Sequence, residues 1–420
     1  MDDVVRQSRN GSELLRICET ALGWAGERDY AGWDPYDGLN SNRLSSLLGN
    51  WWSRLLVIQG VNRFPINLRP ILDVPKERNP QGIALFAMSQ LNLYEHLGDE
   101  TRLGEAEALL DWLIDNSSPD YEDPCWGYNF GWQNGRKFYL PAYAPSIVVS
   151  TFCARAFLHH YRVTGNDRSL EIAAGTVEFI RSNINTRQVD GHTVFTYTSS
   201  DSFVVINANA LAAALFAEVG EALDDDQLRT RADELVSFVV SSQVESGAWY
   251  YAVPHDESHL SHDNFHTGFV LEALGQYLDV RGPDPEAASA YRSGMAFYRT
   301  HLFEDNGAPR FEHDDPYPRD AHAVAQALRT FALDGSQPNR ELAESLIDWS
   351  MERLYDEEGF FYRYQGRLFT DRTQYMRWSQ AWMCYGLTTY LRSCRPTGMT
   401  ERMANSQSSL GSTGKPTGGR

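Results

Sequence analysis

The sequence predicts an all-α fold, an (α/α)6 toroid in which six helical hairpins close into a ring and short β-hairpins lie on one rim. Two observations lead to this prediction. Strongly apolar helical segments alternate with amphipathic ones, and the turns that join them repeat with similar residues. A ring of helix pairs requires such alternation, because its inner helices are covered on all sides while its outer helices face water on one side.

The predicted helices follow from the spacing of apolar residues. A first helix is expected from Ser12 to Trp24, and an aromatic-apolar stretch follows between Trp51 and Ile58. The apolar segments, predicted to be inner helices, are residues 82–97, 146–162, 207–219, 266–280, 321–333 and 375–391. The amphipathic segments, predicted to be outer helices, are residues 101–114, 168–181, 226–242, 286–302 and 340–354.

The turns have two repeating forms. Apolar segments end at Gly98, Gly165, Gly282 or Gly335, where glycine supplies a left-handed cap before Asp or Asn caps the next helix. Amphipathic segments are followed by a second glycine set at spacings of 52 to 60 residues, and short alternating segments predicted as β-hairpins come next: Gly191, Gly247, Gly307 and Gly359. A closed ring is favoured over an open solenoid, because no terminal repeat resembles a polar cap.

The domain organisation is expected to be simple. Residues 1–394 are predicted to form one toroid, and residues 395–420, rich in Gly, Ser, Thr and Pro, a disordered tail. No apolar run is long enough to span a membrane, and the N-terminus does not resemble a secretory signal. We therefore expect a cytoplasmic protein without an integral membrane segment.

Charge and cysteine content argue against a nucleic-acid partner, disulfide bonds and a zinc site built from cysteines. The net charge is −19, so nucleic acid is not expected as a partner, because phosphate binding needs a basic surface. Only three of the 37 basic residues are lysine, which is typical of proteins from salt-loving archaea, although a GC-rich genome could give the same bias. The five cysteines lack CxxC spacing and are expected to be reduced thiols rather than disulfides or zinc ligands.

The loops that enter the inner helices are the predicted binding site. In a ring they converge on one mouth, and here they are rich in aromatic and ionisable residues, a mixture that suits the apolar faces and polar rim of a sugar. Each aromatic could instead pack a hairpin. The predicted substrate-binding residues are Trp33, Tyr36, Trp126, Tyr128, Trp132, Trp249, Tyr250, His262, Tyr375, Arg377 and Trp378.

His266 and His322 are the predicted proton-transfer pair. Each lies at the start of an inner helix in successive repeats, so both could face one cavity. Two imidazoles on opposite sides of a substrate carbon can remove and return a proton near neutral pH. Either histidine could equally be bonded to a loop carbonyl.

Four carboxylates and one arginine complete the candidate site. Asp34, Asp37, Asp263 and Asp320 are predicted catalytic acids, since a pair of them could hydrolyse a glycosidic bond. Asp263 and Asp320 also precede inner helices and could act as caps. Arg377 could bind a carboxylate or phosphate.

A metal or cofactor is not predicted. His255, His259 and His262 cluster, but they lie in a loop without a matched set of acidic or cysteine ligands. The only partner expected is the sugar substrate.

Taken together, these features resemble the six-hairpin toroid enzymes of carbohydrate metabolism, namely unsaturated-glucuronyl hydrolases and N-acylglucosamine 2-epimerase-type isomerases. The likeness covers residues 10–393 and is one of layout rather than of a diagnostic motif. The segments GWDPYDGLNS and SHDNFHTGFVLEAL resemble a group found with archaeal and bacterial surface-glycan assembly genes. With the composition, the chain is similar to a protein N-glycosylation component of haloarchaea proposed to process a hexuronic acid.

The function predicted from the resemblance and the residues is an isomerase or epimerase of glycan assembly. Its substrate would be a uronic acid or related sugar, possibly linked to a nucleotide or lipid. Two alternatives stay open: a glycoside hydrolase or lyase with paired carboxylates, and a non-catalytic glycan-binding protein.

Overall fold

The computed structural model describes residues 2–64, 66–134, 136 and 138–394, so the predicted tail lies outside the described residues. The described chain is mostly helical, as predicted. Its α-helices are, in chain order, α1 Asp2–Gly26, α2 Trp51–Arg63, α3 Arg69–Leu72, α4 Pro80–Leu97, α5 Glu100–Asp115, α6 Ile147–Thr164, α7 Asp167–Asn183, α8 Ile206–Ala222, α9 Asp226–Ser241, α10 Asn264–Arg281, α11 Pro285–His301, α12 Ala321–Asp334, α13 Gln337–Arg353 and α14 Trp382–Ser393.

The inner helices form a closed ring. Helices α4, α6, α8, α10, α12 and α14 pack side by side in chain order, and α14 returns to pack against α4. The outer helices α5, α7, α9, α11 and α13 each pack on the inner helix that precedes them, and α1 packs on α14. The (α/α)6 toroid is therefore confirmed, and closure replaces the open-solenoid alternative.

The predicted caps set most of the helix boundaries. Asp99, Asp225 and Asp284 each accept hydrogen bonds from backbone N–H groups in the first turn of an outer helix. Gly98 and Gly165 have the left-handed conformation that ends an inner helix without a Cβ clash. Capping of this kind satisfies backbone groups that a helix end leaves unpaired.

Two segments differ from the prediction. The stretch between Trp51 and Ile58 belongs to helix α2, which lies outside the six hairpins. The last inner helix opens with a π-helical turn, Met376–Ala381, before α14 begins at Trp382.

The strands are shorter than predicted, and some pair between repeats. They are β1 Trp132–Asn134, β2 Phe138–Leu140, β3 Thr186–Val189, β4 His192–Phe195, β5 Val204–Val205, β6 Ala252–Val253, β7 Arg319–Asp320, β8 Tyr364–Gln365 and β9 Thr370–Asp371. Pairs β1–β2, β3–β4 and β8–β9 are local hairpins. Strand β5 pairs with β6, and β7 with β8, each from the following repeat, so the rim joins neighbouring repeats.

A buried ionic layer crosses the ring further along the inner helices. Arg155 on α6 lies 3.7 Å from Glu218 on α8 and 3.6 Å from Glu272 on α10, and Arg329 on α12 also pairs with Glu272. Each charge is paired with a partner on another helix, as buried charges require. No helix in the described ranges has the length and apolar character needed to cross a bilayer.

Candidate active site

A cavity of about 340 Å³ opens where the inner helices begin. Its size falls in the range of pockets that hold small molecules. Eight of the predicted site residues line it: Tyr36, Tyr128, Trp132, His266, Asp320, His322, Arg377 and Trp378.

His322 is the most unusual side chain in the cavity wall. It is buried, with 4% exposure, and neither of its ring nitrogens has a hydrogen-bond partner among the described residues. The ring lies between Phe265 and Trp382, at centroid distances of 4.6 and 4.1 Å. Burial, assisted by the nearby positive charge of Arg377, holds the pKa of His322 well below its ordinary value. The imidazole is therefore neutral at pH 7 and keeps one donor and one acceptor for a ligand.

His266 is held by Asp263. The imidazole Nδ1 lies 2.9 Å from Asp263 Oδ2, while Asp263 Oδ1 accepts the backbone N–H of His266 at 3.1 Å. Asp263 thus caps α10, as the capping alternative predicted, and also binds the imidazole. A carboxylate on Nδ1 favours the tautomer whose Nε2 is an acceptor, so His266 presents a base to the cavity.

The two histidines are neighbours. Phe265 contacts both rings, with centroid distances of 4.1 Å to His266 and 4.6 Å to His322, and Phe269 also contacts both. They therefore lie along one part of the wall, whereas the sequence suggested opposite sides of a substrate carbon.

Asp320 is a buried acid that faces the cavity. The indole N–H of Trp378 donates to both of its carboxylate oxygens, at 2.9 and 3.0 Å, and the backbone N–H of His322 donates to Oδ1 at 2.8 Å. Burial raises the pKa of Asp320 to about 6, although the charge of Arg363 opposes this shift. Asp320 is therefore both the cap of α12 and a group that exchanges protons near neutral pH.

Arg377 is fixed by two partners. Its Nε donates to Asp34 Oδ2 at 2.7 Å and its Nη1 to Gln81 Oε1 at 3.0 Å. Within the described residues, Nη2 has no hydrogen-bond partner, and the guanidinium lies over the Tyr128 ring at 4.8 Å. Arg377 is thus oriented to bind an anionic group with its remaining donors.

Asp34 and Asp37 do not line this cavity. Asp34 binds Arg377, and Asp37 accepts from the fully buried Arg69 Nε at 2.6 Å. Both carboxylates are therefore occupied by arginine partners and do not face the cavity, so this geometry gives no support to the prediction that they act on a substrate there.

Trp126 and Trp249 are core residues rather than binding residues. Trp126 is fully buried and donates its indole N–H to Leu113 O, and Trp249 donates in the same way to Val239 O. Each indole thus ties the rim to the end of an outer helix in its own repeat. Neither lines the cavity, so their prediction as substrate-binding residues has no support in this geometry, and the repeated contact places both in the scaffold.

Four further predicted residues lie outside the cavity wall. Trp33 donates to Val74 O, and Tyr375 accepts from Arg69 Nη1 at 3.0 Å. His262 Nδ1 lies 2.9 Å from Trp249 O, and Tyr250 packs against the His262 ring at 4.5 Å. These side chains pack behind the cavity wall, so they do not lie where their prediction as binding residues placed them.

The loop histidines do not act together. His255 stacks on Tyr250, His262 bonds to Trp249 O, and His259 lines the cavity. Among the described residues, no group of three or more His, Cys, Asp or Glu side chains is arranged to hold a metal ion.

Several cavity residues were not among the sequence candidates. Arg363 lines the wall and donates to Asn62 on α2, and Tyr251 packs on His266 at a centroid distance of 4.4 Å. Phe265, Phe269 and Gln81 also line it. Phe265 and Phe269 are close to His266 in the sequence, at the start of the same helix, so they could have been predicted as cavity residues. The sequence around Gln81 gave no comparable indication.

The fold and the cavity together define an (α/α)6 toroid with an ionisable, aromatic-lined mouth. Neither a protein-family model nor a curated protein matches the sequence. Among solved structures, the chain is similar to a cellobiose 2-epimerase from Bacillus thermoamylovorans, with 14% identity, a TM-score of 0.56, and coverage of 75% of this chain and 90% of that one. A possible member of the GH105 family from Klebsiella pneumoniae has 14% identity and a TM-score of 0.59, covering 91% and 93%. A D-mannose isomerase has 12% identity and a TM-score of 0.57, covering 75% and 87%.

Proposed function

We propose that the protein is a sugar isomerase or epimerase that transfers a proton at a carbon next to a carbonyl group. The observation that carries this proposal is the composition of the cavity wall. His266, His322 and one carboxylate line it among the described residues, with Arg363 and Arg377 beside them. This set suits proton transfer to and from an anionic sugar.

His266 is the proposed base. With Nδ1–H bonded to Asp263, the free Nε2 removes the proton from the carbon beside the carbonyl of the open-chain sugar. The electron pair moves onto the carbonyl oxygen and gives an enediolate.

His322 is the proposed proton donor. The N–H of the neutral ring gives its proton to the enediolate oxygen, while its unpartnered second nitrogen takes the proton of the neighbouring substrate hydroxyl, so the ring stays neutral. Protonated His266 then returns its proton to the neighbouring carbon, which gives the isomer. Return to the other face of the original carbon gives the epimer and requires the sugar to turn that face toward His266.

The proposed substrate is a uronic acid. Arg363 and Arg377 place two buried guanidinium groups in the wall, and a sugar carboxylate offers the planar anion that such groups bind. We further propose that the free sugar is processed in the cytoplasm of a salt-loving archaeon, before it is linked to a nucleotide or lipid for surface-glycan assembly, because a bond at C1 would block the open-chain form. The arginine-rich, lysine-poor acidic composition supports this context. A deletion strain would then accumulate a glycan precursor that contains the unaltered sugar. Unchanged glycans in that strain would refute the assignment to surface-glycan assembly.

Glycoside hydrolysis is the second candidate. Asp320, whose pKa is about 6, could protonate a leaving group. A two-carboxylate mechanism receives less support, because Asp320 is the only acidic residue that lines the cavity among the described residues.

The test is solvent exchange measured by proton NMR. The protein is incubated in D2O with D-glucuronate, D-galacturonate, D-glucose or D-mannose, and the signal of the proton at C2 is followed. We expect loss of that signal with a uronic acid, and loss of exchange in His266→Asn and His322→Asn. His301→Asn, an exposed histidine on α11, is the matched control. Release of reducing sugar from a glycoside without exchange would favour hydrolysis instead.

A further inference from the structure

One segment of the surface is unusually apolar. Of the large apolar side chains that are exposed in the described chain, more than half lie between residues 47 and 71: Leu47, Trp51, Trp52, Leu56, Phe64, Ile66 and Ile71. A concentration of this kind on a soluble surface indicates contact with a partner. We name the described residues 43–64 and 66–72 the α2 patch.

Helix α2 turns an apolar stripe toward solvent. Trp52 and Leu56 are four residues apart and share one side of the helix, with exposures of 54% and 63%. Phe64, the residue that ends the helix, is 51% exposed. The opposite side, with Ile58 and Val61, is buried against the protein. On an ordinary surface helix the side that faces solvent is polar, so an apolar stripe on that side is unusual.

The α2 patch is also positively charged within an acidic protein. Residues 38–72 contain no Asp or Glu, although the chain carries a net charge of −19. Arg43 and Arg63 are exposed, and Arg54 stacks on Tyr139. In the described residues, none of these three arginines forms an ion pair with a carboxylate. Arg43 and Arg63 are therefore available to an external anionic surface, whereas Arg54 is partly buried and donates to Gln133 Oε1 and Leu48 O.

We propose that the α2 patch docks on the surface of an anionic lipid bilayer. Exposed Trp, Leu and Phe side chains beside arginines are the composition that binds in the interfacial region of a membrane, where aromatic rings sit at headgroup level and cations meet anionic lipid. A second copy of the chain fits less well, because a two-fold contact would bring the same arginines together without any acid between them. The polar residues of the 395–420 tail offer little apolar surface to cover the patch.

The α2 patch adjoins the cavity mouth. Gln59, Asn62 and Arg63 on helix α2 line the cavity, while Trp52 and Leu56 of the same helix point to solvent. Docking would thus hold the mouth of the cavity at the headgroup level of the bilayer. Membrane docking does not depend on the proposed sugar chemistry, so the two can fail separately.

The experiment is flotation of the full chain with lipid vesicles. Vesicles of phosphatidylcholine containing 30% phosphatidylglycerol are compared with pure phosphatidylcholine. We expect flotation with the anionic vesicles, and at least about tenfold weaker partitioning for the double variant Trp52→Ser, Leu56→Ser, because both exposed apolar side chains are lost. Arg43→Gln should weaken binding to anionic vesicles only.

The matched control removes exposed leucines at the opposite end of the ring. Leu97 and Leu223 follow inner helices α4 and α8 and are 39% and 45% exposed. Leu97→Ser, Leu223→Ser should float as the wild type does, and circular dichroism establishes that each variant is folded. Equal flotation of the Trp52, Leu56 variant would overturn the proposal. The proposal would also be overturned if the wild type did not bind vesicles but formed a dimer, and the Trp52, Leu56 variant was monomeric.

Discussion

Asp263→Asn separates the two tasks of one carboxylate. Asp263 caps α10 through its Oδ1 and binds His266 Nδ1 through its Oδ2. The amide oxygen of Asn can still accept the backbone N–H, so the cap, worth about 1 kcal/mol, is retained. The amide N–H₂, however, donates to Nδ1 and leaves the proton on Nε2, the wrong nitrogen for a base.

The expected cost falls on catalysis rather than on the fold. Losing the charge weakens one buried hydrogen bond, by about 1.5–3 kcal/mol at most, whereas the reversed tautomer should lower turnover by about 10²–10⁴-fold. Urea unfolding gives the stability, and NMR solvent exchange at C2 gives the rate. Asp263→Ala is the comparison, because it loses both cap and partner. The reasoning is refuted if Asp263→Asn keeps wild-type turnover with an unchanged pH profile.

Three other predictions concern charge and packing. The folded pKa of Asp320, about 6, exceeds the ordinary 3.8, so the folded state binds the extra proton and loses stability as pH rises through that window. The unfolding free energy of Asp320→Asn minus that of the wild type should therefore rise by about 3 kcal/mol between pH 4 and pH 7. A difference that does not change with pH would contradict this prediction. Arg377→Lys should raise the KM for a uronic acid about tenfold or more, because a lysine cannot bind both Asp34 and a carboxylate. The KM for a neutral sugar should not change, and equal effects on both sugars would refute the prediction. Gly386→Ala should cost about 1–3 kcal/mol in thermal unfolding, because its Cβ would lie 2.7 Å from the Ala325 backbone of the facing inner helix, and an unchanged midpoint would refute that contact.

The ring could be predicted because local signals repeat. Four of the six apolar segments end at a glycine, and after Gly98 the next residue, Asp99, caps an outer helix. These contacts lie within a few residues of each other, so periodicity and capping chemistry reveal them. Ring closure needed the contact of α14 with α4, which joins the two ends of the chain and has no local signal.

The lining of the cavity could be predicted in part, for a related reason. His266, His322 and Asp320 line it because helix starts converge on one mouth. Trp126 and Trp249 do not line it, because an aromatic in a rim loop can turn either toward the cavity or back toward its own outer helix. That choice depends on which backbone carbonyl is within reach of the indole, a feature of tertiary structure.

Pairing between distant residues explains the remaining errors. Asp34 is 343 residues from Arg377, and Asp37 is 32 residues from Arg69. Both carboxylates looked free in the sequence because their arginines are supplied by other segments. The exposure of the apolar stripe on α2 could not be predicted either, because it depends on which side of the helix packs against the ring.

The central claim is that His266 and His322 move a proton at a sugar carbon. Its most direct measurement is the loss of the C2 proton signal of a uronic acid in D2O, compared among wild type, His266→Asn, His322→Asn and His301→Asn. We expect exchange in the wild type and His301→Asn, and none in the two cavity variants when their circular dichroism is unchanged. Exchange that persists in folded His266→Asn would contradict the account.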